Sequence, residues 1–368
     1  MDGLAKEAES MTRRMRWSAP LLVALTLAAA ACGGGNPADT GQGGGGGGGG
    51  EDATSAALAF DVGGLGDQSF NDAAFRGLEA AIEEGIVAEG DTDYIEPNAS
   101  GSNRDDNVVN LADQGYSLVV AVGFAFSPGI DEIAGEYPDV NFAVVDGFAA
   151  EADNVSNLTF KEHEGSFLVG AAAALKSKTG TIGFLGGQSG TGLIERFQAG
   201  FEAGAREINP DIEILVEYIG DSTQAFNDPT RGEALSAKMY DGGADVIYHA
   251  AGASGAGLFK AAVQSNQLAI GVDSDQSLTA SPEQRKVILT SMLKRVDTAV
   301  HDAIQQTAEG SFQSGTQVFG LAEEGVGYAV NQYNDNPRLL SQDIQSRLNE
   351  LQKQIIDGTL KVPEEPAN

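Results

Sequence analysis

Short apolar runs, each followed by a stretch of helical periodicity, leave this chain few folds to adopt. The run Leu118-Val119-Val120-Ala121-Val122 has no polar residue, as suits a strand covered on both faces. Between such runs apolar residues recur at three- and four-residue spacing, as in Ala74, Leu78, Ala81 and Ile82, which predicts helices. The full reading places strands over 56–60, 93–96, 118–122, 141–145, 155–160, 181–185, 213–218, 246–250, 268–272, 287–292, 316–321 and 326–330. Helices are predicted over 70–84, 103–114, 128–137, 162–177, 194–208, 228–241, 256–265, 294–307 and 340–356. This alternation yields mostly parallel sheets with helices on both faces. The cycle restarts near residue 162, so two α/β lobes are expected. The first lobe is assigned 56–161 plus about 289–315, the second 162–288 plus about 316–335. Residues 336–368 form a C-terminal helix and tail of unassigned lobe.

In such sheets ligands bind at the carboxyl ends of the strands. There the stretch from Ala59 to Asp72 breaks from an apolar strand into a glycine-rich loop, ending on Ser69-Phe70-Asn71 at a helix start. It reads as half of a small-molecule pocket. Net charge is −31, with 53 acidic against 22 basic side chains, which argues against nucleic acid, acidic lipid or an anionic ligand as partner. The one cysteine, Cys32, leaves no disulfide and no cysteine-based zinc site. Arg13, Arg14 and Arg16 precede an apolar run over 19–31, too short for a comfortable membrane span, which reads as a secretory leader. With Cys32 directly after it, the segment resembles a lipoprotein signal over 1–31, and Cys32 is the expected lipidation site. Residues 32–55 then form a glycine-rich tether.

Catalytic motifs fall short. Gly187-Gln188-Ser189-Gly190-Thr191 and Gly252-Ala253-Ser254-Gly255-Ala256 each miss the last glycine of a nucleophile elbow. Gly64-Leu65-Gly66-Asp67-Gln68-Ser69 lacks the third glycine of a dinucleotide fingerprint. The three histidines, His163, His249 and His301, make no metal-binding pair. No enzyme activity and no cofactor are expected. The cluster Asp61, Asp67 and Asp72 keeps a calcium-dependent nucleoside hydrolase as a remote alternative, although its spacing is loose.

Four stretches together resemble the basic membrane protein family of ABC-transporter substrate-binding lipoproteins, similar to the purine nucleoside receptor of spirochaetes. They are Asp61-Val62-Gly63-Gly64 with Asp67-Gln68-Ser69-Phe70-Asn71, then Val145-Asp146-Gly147, then Glu164-Gly165-Ser166-Phe167-Leu168-Val169-Gly170, then Gly271-Val272-Asp273-Ser274-Asp275. The resemblance implies a type I periplasmic-binding-protein fold, two Rossmann-like lobes joined by three crossovers with the ligand between them. It implies a purine nucleoside ligand, its base between one aromatic ring from each lobe and its ribose on carboxylates. It further implies docking on a transporter permease and a membrane anchor through the lipid at Cys32; a monomer is expected. A sugar or other small polar ligand, feeding a transporter or a sensor, is the alternative on the same fold.

Phe70 is the expected first-lobe ring, with a hydrophobic staple over the helix entry as its bland alternative. Phe226 is the expected second ring, with Phe197 and Phe124 as rivals. Asn71 suits a purine edge because it offers donors and acceptors; otherwise it is a helix cap. Asp61 is a further base or sugar contact, whereas Asp67 caps the helix or binds nothing. Asp146 and Asp273 end apolar strands and suit a ribose diol, or are turn residues. Gly252 lets backbone approach a ligand. Lys294 reaches a hydroxyl or balances the carboxylates, or lies at the surface.

Overall fold

A computed structural model describes residues 54–367. The leader, Cys32 and all of the tether before Thr54 lie outside the described residues. The first lobe runs β1 (Ala56–Phe60), α1 (Phe70–Glu83), β2 (Thr92–Ile95), α2 (Arg104–Asp113), β3 (Leu118–Val122), α3 (Ser127–Glu136), β4 (Asn141–Val145) and β5 (Val155–Phe160). The second continues with α4 (Glu162–Lys176), β6 (Thr181–Gln188), α5 (Leu193–Ile208), β7 (Glu213–Gly220), α6 (Pro229–Asp241), β8 (Val246–Ala250), α7 (Gly255–Ser265), β9 (Leu268–Asp273) and β10 (Ile288–Lys294). The chain returns to the first lobe for α8 (Val296–Ala308) and β11 (Gly315–Phe319), then crosses again for β12 (Val326–Tyr328) and α9 (Gln342–Ile356).

The two six-stranded sheets have the orders β11-β5-β4-β3-β1-β2 and β12-β10-β9-β8-β6-β7, so each strand of one has a counterpart in the other. All neighbours are parallel except β12, which runs antiparallel to β10. Strands β1 and β3 are buried along their whole length, as their apolar runs require. This is the expected α/β architecture, built on two parallel sheets.

The placement of two strands differs from expectation. β10 pairs with β9 in the second sheet, although 289–315 was assigned to the first lobe. β11 pairs with β5 in the first sheet, although 316–335 was assigned to the second. Periodicity identifies a strand but not its partner; the crossovers fall at Arg295 and at residues 320–325, in loops without a compositional break. Only α8 of the first stretch belongs to the first lobe, where it packs on α1, β3 and β4. Helix α9 packs on α4, and Lys176 Nζ donates to the Leu339 carbonyl at 2.9 Å, which places the C-terminal helix on the second lobe.

Helix α4 is buried on almost every side, and it meets α5 backbone to backbone. A Cβ on Gly204 would collide with the Phe167 carbonyl oxygen, and one on Gly170 with that of Phe201. The Glu164–Gly170 motif is therefore a packing device, and Ser166 adds a 3.1 Å hydrogen bond with Tyr248 Oη. Residues 186–188 also depart from expectation. They continue β6 instead of turning, because β7 runs beside them through Gly186–Tyr218 and Gln188–Gly220. Their glycines make room for aromatic rings: a Cβ on Gly187 would collide with Phe226.

Candidate functional site

The carboxyl ends of both sheets face a cleft of about 620 Å³, lined by all eight residues singled out above and by Phe124 and Phe197.

The first-lobe half is built by Asp67. Its carboxylate accepts from the backbone N–H groups of Ser69 and Asn71 at 2.9 Å and of Asp72 at 3.2 Å, so it fixes the start of α1. It also accepts from Asn71 Nδ2 at 3.0 Å. This orients the amide and leaves Asn71 Oδ1 buried without a donor among the described residues. Asn71 is thus not a cap; Ser69 holds that position, and Asp67 does the capping work. Asp61 accepts from Arg104 Nε at 2.7 Å. Burial pushes the carboxyls of Asp61 and Asp67 up, and the Arg104 charge offsets part of this for Asp61. Asp72 accepts from Gly66 and Gln68 N–H groups at 2.7 and 3.0 Å. The three aspartates therefore serve a guanidinium and the loop backbone, and they do not converge as a metal cluster.

Asp146 and Asp273 follow β4 and end β9, which hold equivalent places in the two sheets. Both have left-handed backbone, with φ of +58° and +62°, a strained geometry for a non-glycine residue that concentrates at functional positions. Lys294, the last residue of β10, is 2% exposed and donates to Asp146 Oδ2 at 2.7 Å. Its Nζ also lies 3.1 Å from Glu162 Oε1 and about 5 Å from the ring centres of Phe70, Phe160 and Phe197. Burial works against the ammonium, but Asp146, Glu162 and Asp273 outweigh it and hold Lys294 charged beyond its ordinary range. Burial raises the Asp273 carboxyl to about 6, with Lys294 and the Ser69 hydroxyl opposing. Lys294 is therefore the counter-charge of the carboxylates, not a surface lysine.

Phe70 opens α1 on one side of the cleft, and Phe226 sits in the 3-10 turn Thr223–Asn227 on the other. Gly252 has φ of +53°, and a Cβ there would stand 3.3 Å from the Phe226 carbonyl oxygen. Glycine at 187 and 252 thus seats the Phe226 ring. The lobes touch at the rims: Ser69 Oγ donates to Asp273 Oδ2 at 2.5 Å, Arg76 to Ser274 Oγ at 2.6 Å, and Arg104 to Thr223 Oγ1 at 3.2 Å. His249 stands apart. It is fully buried, its Nε2 is 2.9 Å from Gln276 Oε1, and burial lowers its pKa to about 4.

Sequence reasoning missed Glu162, Arg104 and Ser69. Glu162 carried a usable clue, a carboxylate two residues after a buried strand. Arg104 opens α2 in a polar stretch that resembles ordinary surface, and Ser69 lies within the pocket stretch but was given no role of its own.

Residues 54–365 match the family described as ABC transporter substrate-binding protein, PnrA-like. The CD4+ T-cell-stimulating antigen of Listeria monocytogenes is 36% identical over 326 residues, covering 85% of this chain and 88% of its own length. The ABC transporter nucleoside-binding protein BmpA of Lactococcus lactis is 33% identical over 323 residues, covering 84% and 88%. A solute-binding protein of an ABC transporter system from Aeropyrum pernix superposes with a TM-score of 0.72 at 28% identity, over 85% of this chain and 94% of that one.

Proposed function

The chain belongs to the PnrA-like family of ABC transporter substrate-binding proteins, and from that premise we propose that its cleft takes a purine nucleoside. Proteins of this kind work on the extracytoplasmic side and pass a small molecule to a permease; they are not enzymes. The observation that carries the nucleoside reading is the division of the cleft. Two aromatic rings from different lobes, Phe70 and Phe226, line it, as does the unpaired acceptor Asn71 Oδ1. Asp146, Asp273 and Lys294 form a polar cluster joined across the lobes. A flat base fits between rings, an N–H on its edge satisfies Asn71, and vicinal hydroxyls satisfy carboxylates. The printed name of the Lactococcus relative supports the same class.

Ligand contacts to both lobes draw them together about the crossovers. Cys32 carries the lipid that anchors the protein, and the monomer is the transporting form. The test is calorimetric titration of the full chain, in mild detergent, with guanosine, inosine, adenosine, cytidine and ribose. Purine nucleosides bind and ribose does not. Ribose binding as tightly as any nucleoside refutes the base-sandwich and restores the sugar reading. Phe70→Ala should lose about 1–3 kcal/mol of nucleoside affinity, the contribution of one base–ring stack, while melting close to the parent.

A further inference from the structure

The cleft does not end at Asp146. A second chamber of about 500 Å³ opens beside it and shares Asp146, Phe124 and Leu193 with the first. Glu162 lines this chamber with its side chain 1% exposed. Among the described residues Glu162 Oε2 accepts no hydrogen bond, whereas Asp146 Oδ1 stands 2.6 Å from Lys294 Nζ. Lys294 Nζ also lies 3.1 Å from Glu162 Oε1, so Oε2 is the Glu162 oxygen left facing the chamber without a donor. The Arg196 guanidinium is 3.7 Å from Oε2, is 40% exposed, and has Glu364 3.9 Å away on its other side. Three carboxylates, Asp146, Glu162 and Asp273, therefore share a single buried ammonium.

Buried carboxylate oxygens without donors are costly, and a ligand that brings N–H or O–H groups relieves that cost. A positive charge relieves it most, whereas a phosphate or carboxylate adds charge of the wrong sign. We propose that this chamber is a subsite for a donor-bearing, preferably cationic, substituent on the ligand, with Glu162 Oε2 as its acceptor. The inference rests on the nucleoside reading: Asp146 lines both cavities, so a sugar held against it lies at the mouth of the chamber, and its 5′ carbon is the position we assign to the substituent that enters. The ligand class thereby widens from plain nucleosides to nucleosides bearing a 5′ amine.

The test compares adenosine, 5′-deoxyadenosine, 5′-amino-5′-deoxyadenosine and adenosine 5′-phosphate by calorimetry on the full chain in mild detergent. The amine should bind about ten- to a hundredfold tighter than 5′-deoxyadenosine, the range for a hydrogen bond to a charged group. Glu162→Gln should erase most of that gain, read as the ratio of the amine's affinity to that of 5′-deoxyadenosine within the same variant. Equal affinity of the amine and 5′-deoxyadenosine, exclusion of the amine while adenosine binds, or phosphate binding as tightly as the amine each overturns the subsite alone. The ligand comparison on the unaltered chain decides the matter even if Glu162→Gln fails to fold. Binding by none of the four overturns the nucleoside reading, and the subsite with it.

Discussion

Replacing Lys294 by Met tests how the base of the cleft is held together. Methionine keeps an unbranched apolar stem among Phe70, Phe160 and Phe197 and removes only the charged tip. What is lost is the 2.7 Å hydrogen bond to Asp146, the 3.1 Å approach to Glu162 and the charge that acts on Asp273. Breaking a buried ion pair from one side costs about 3–5 kcal/mol, because the remaining charge has no partner. Here the carboxylates escape part of that cost by taking up protons, since burial already raises Glu162 and Asp273. In the variant their folded pKa values rise further above the unfolded ones. The folded state then binds more protons than the unfolded state, and stability climbs as pH falls. Urea unfolding followed by circular dichroism at pH 8 and pH 5 reads this directly. The deficit relative to the parent should be about 3–5 kcal/mol at pH 8 and clearly smaller at pH 5. The histidine contributions are common to both proteins and cancel in the difference. A deficit below about 1 kcal/mol, the ceiling for an exposed ion pair, would falsify the buried counter-charge account, as would a deficit independent of pH.

Three other perturbations separate packing from binding. Gly187→Ala places a methyl where the Phe226 ring lies, so nucleoside affinity should fall about tenfold, within the value of one stacked base, while the melting midpoint stays close to the parent; unchanged affinity would remove Phe226 from the site. Gly204→Ala drives α5 into the Phe167 carbonyl of α4 and should cost about 1–3 kcal/mol in urea unfolding, whereas a neutral result would mean the helices can slide apart freely. His249, lowered to about 4 by burial, contributes stability that is complete above its ordinary value near 6.5 and is lost as pH falls toward 4. In His249→Gln the fall in stability between those two values should flatten, and an unaltered acid limb would assign the loss to other groups.

The strand–helix cycle was legible because burial on two faces demands apolar runs, most plainly in β3, and β3, β4, β5 and β8 have the bounds expected from the sequence. Phe70, Asp146 and Asp273 were legible for a related reason: each stands at or beside the carboxyl end of a strand, where the sheet presents its edge. Partner choice was not. β10 and β11 each read as a strand, yet nothing within five or seven residues says which sheet supplies the neighbouring hydrogen bonds. The strand expected over 181–185 stops short of Gly186 and Gly187 because glycines that accommodate a ring leave the same mark on the sequence as glycines that end a strand. Glu162 escaped notice because its place at a helix start resembles an ordinary acidic first turn.

The return of α8 and β11 to the first lobe sets a timetable. Translation delivers β1 to β5 first, but α8, which covers β3 and β4, and the edge partner of β5 arrive only at Phe319. At about 5–20 residues per second, the first-made sheet waits roughly 8–30 s for the pieces that complete it. During that interval β5 lacks its edge neighbour and the α8 face of the sheet is bare. In this chain the route between the lobes itself postpones compaction until most of the polypeptide exists.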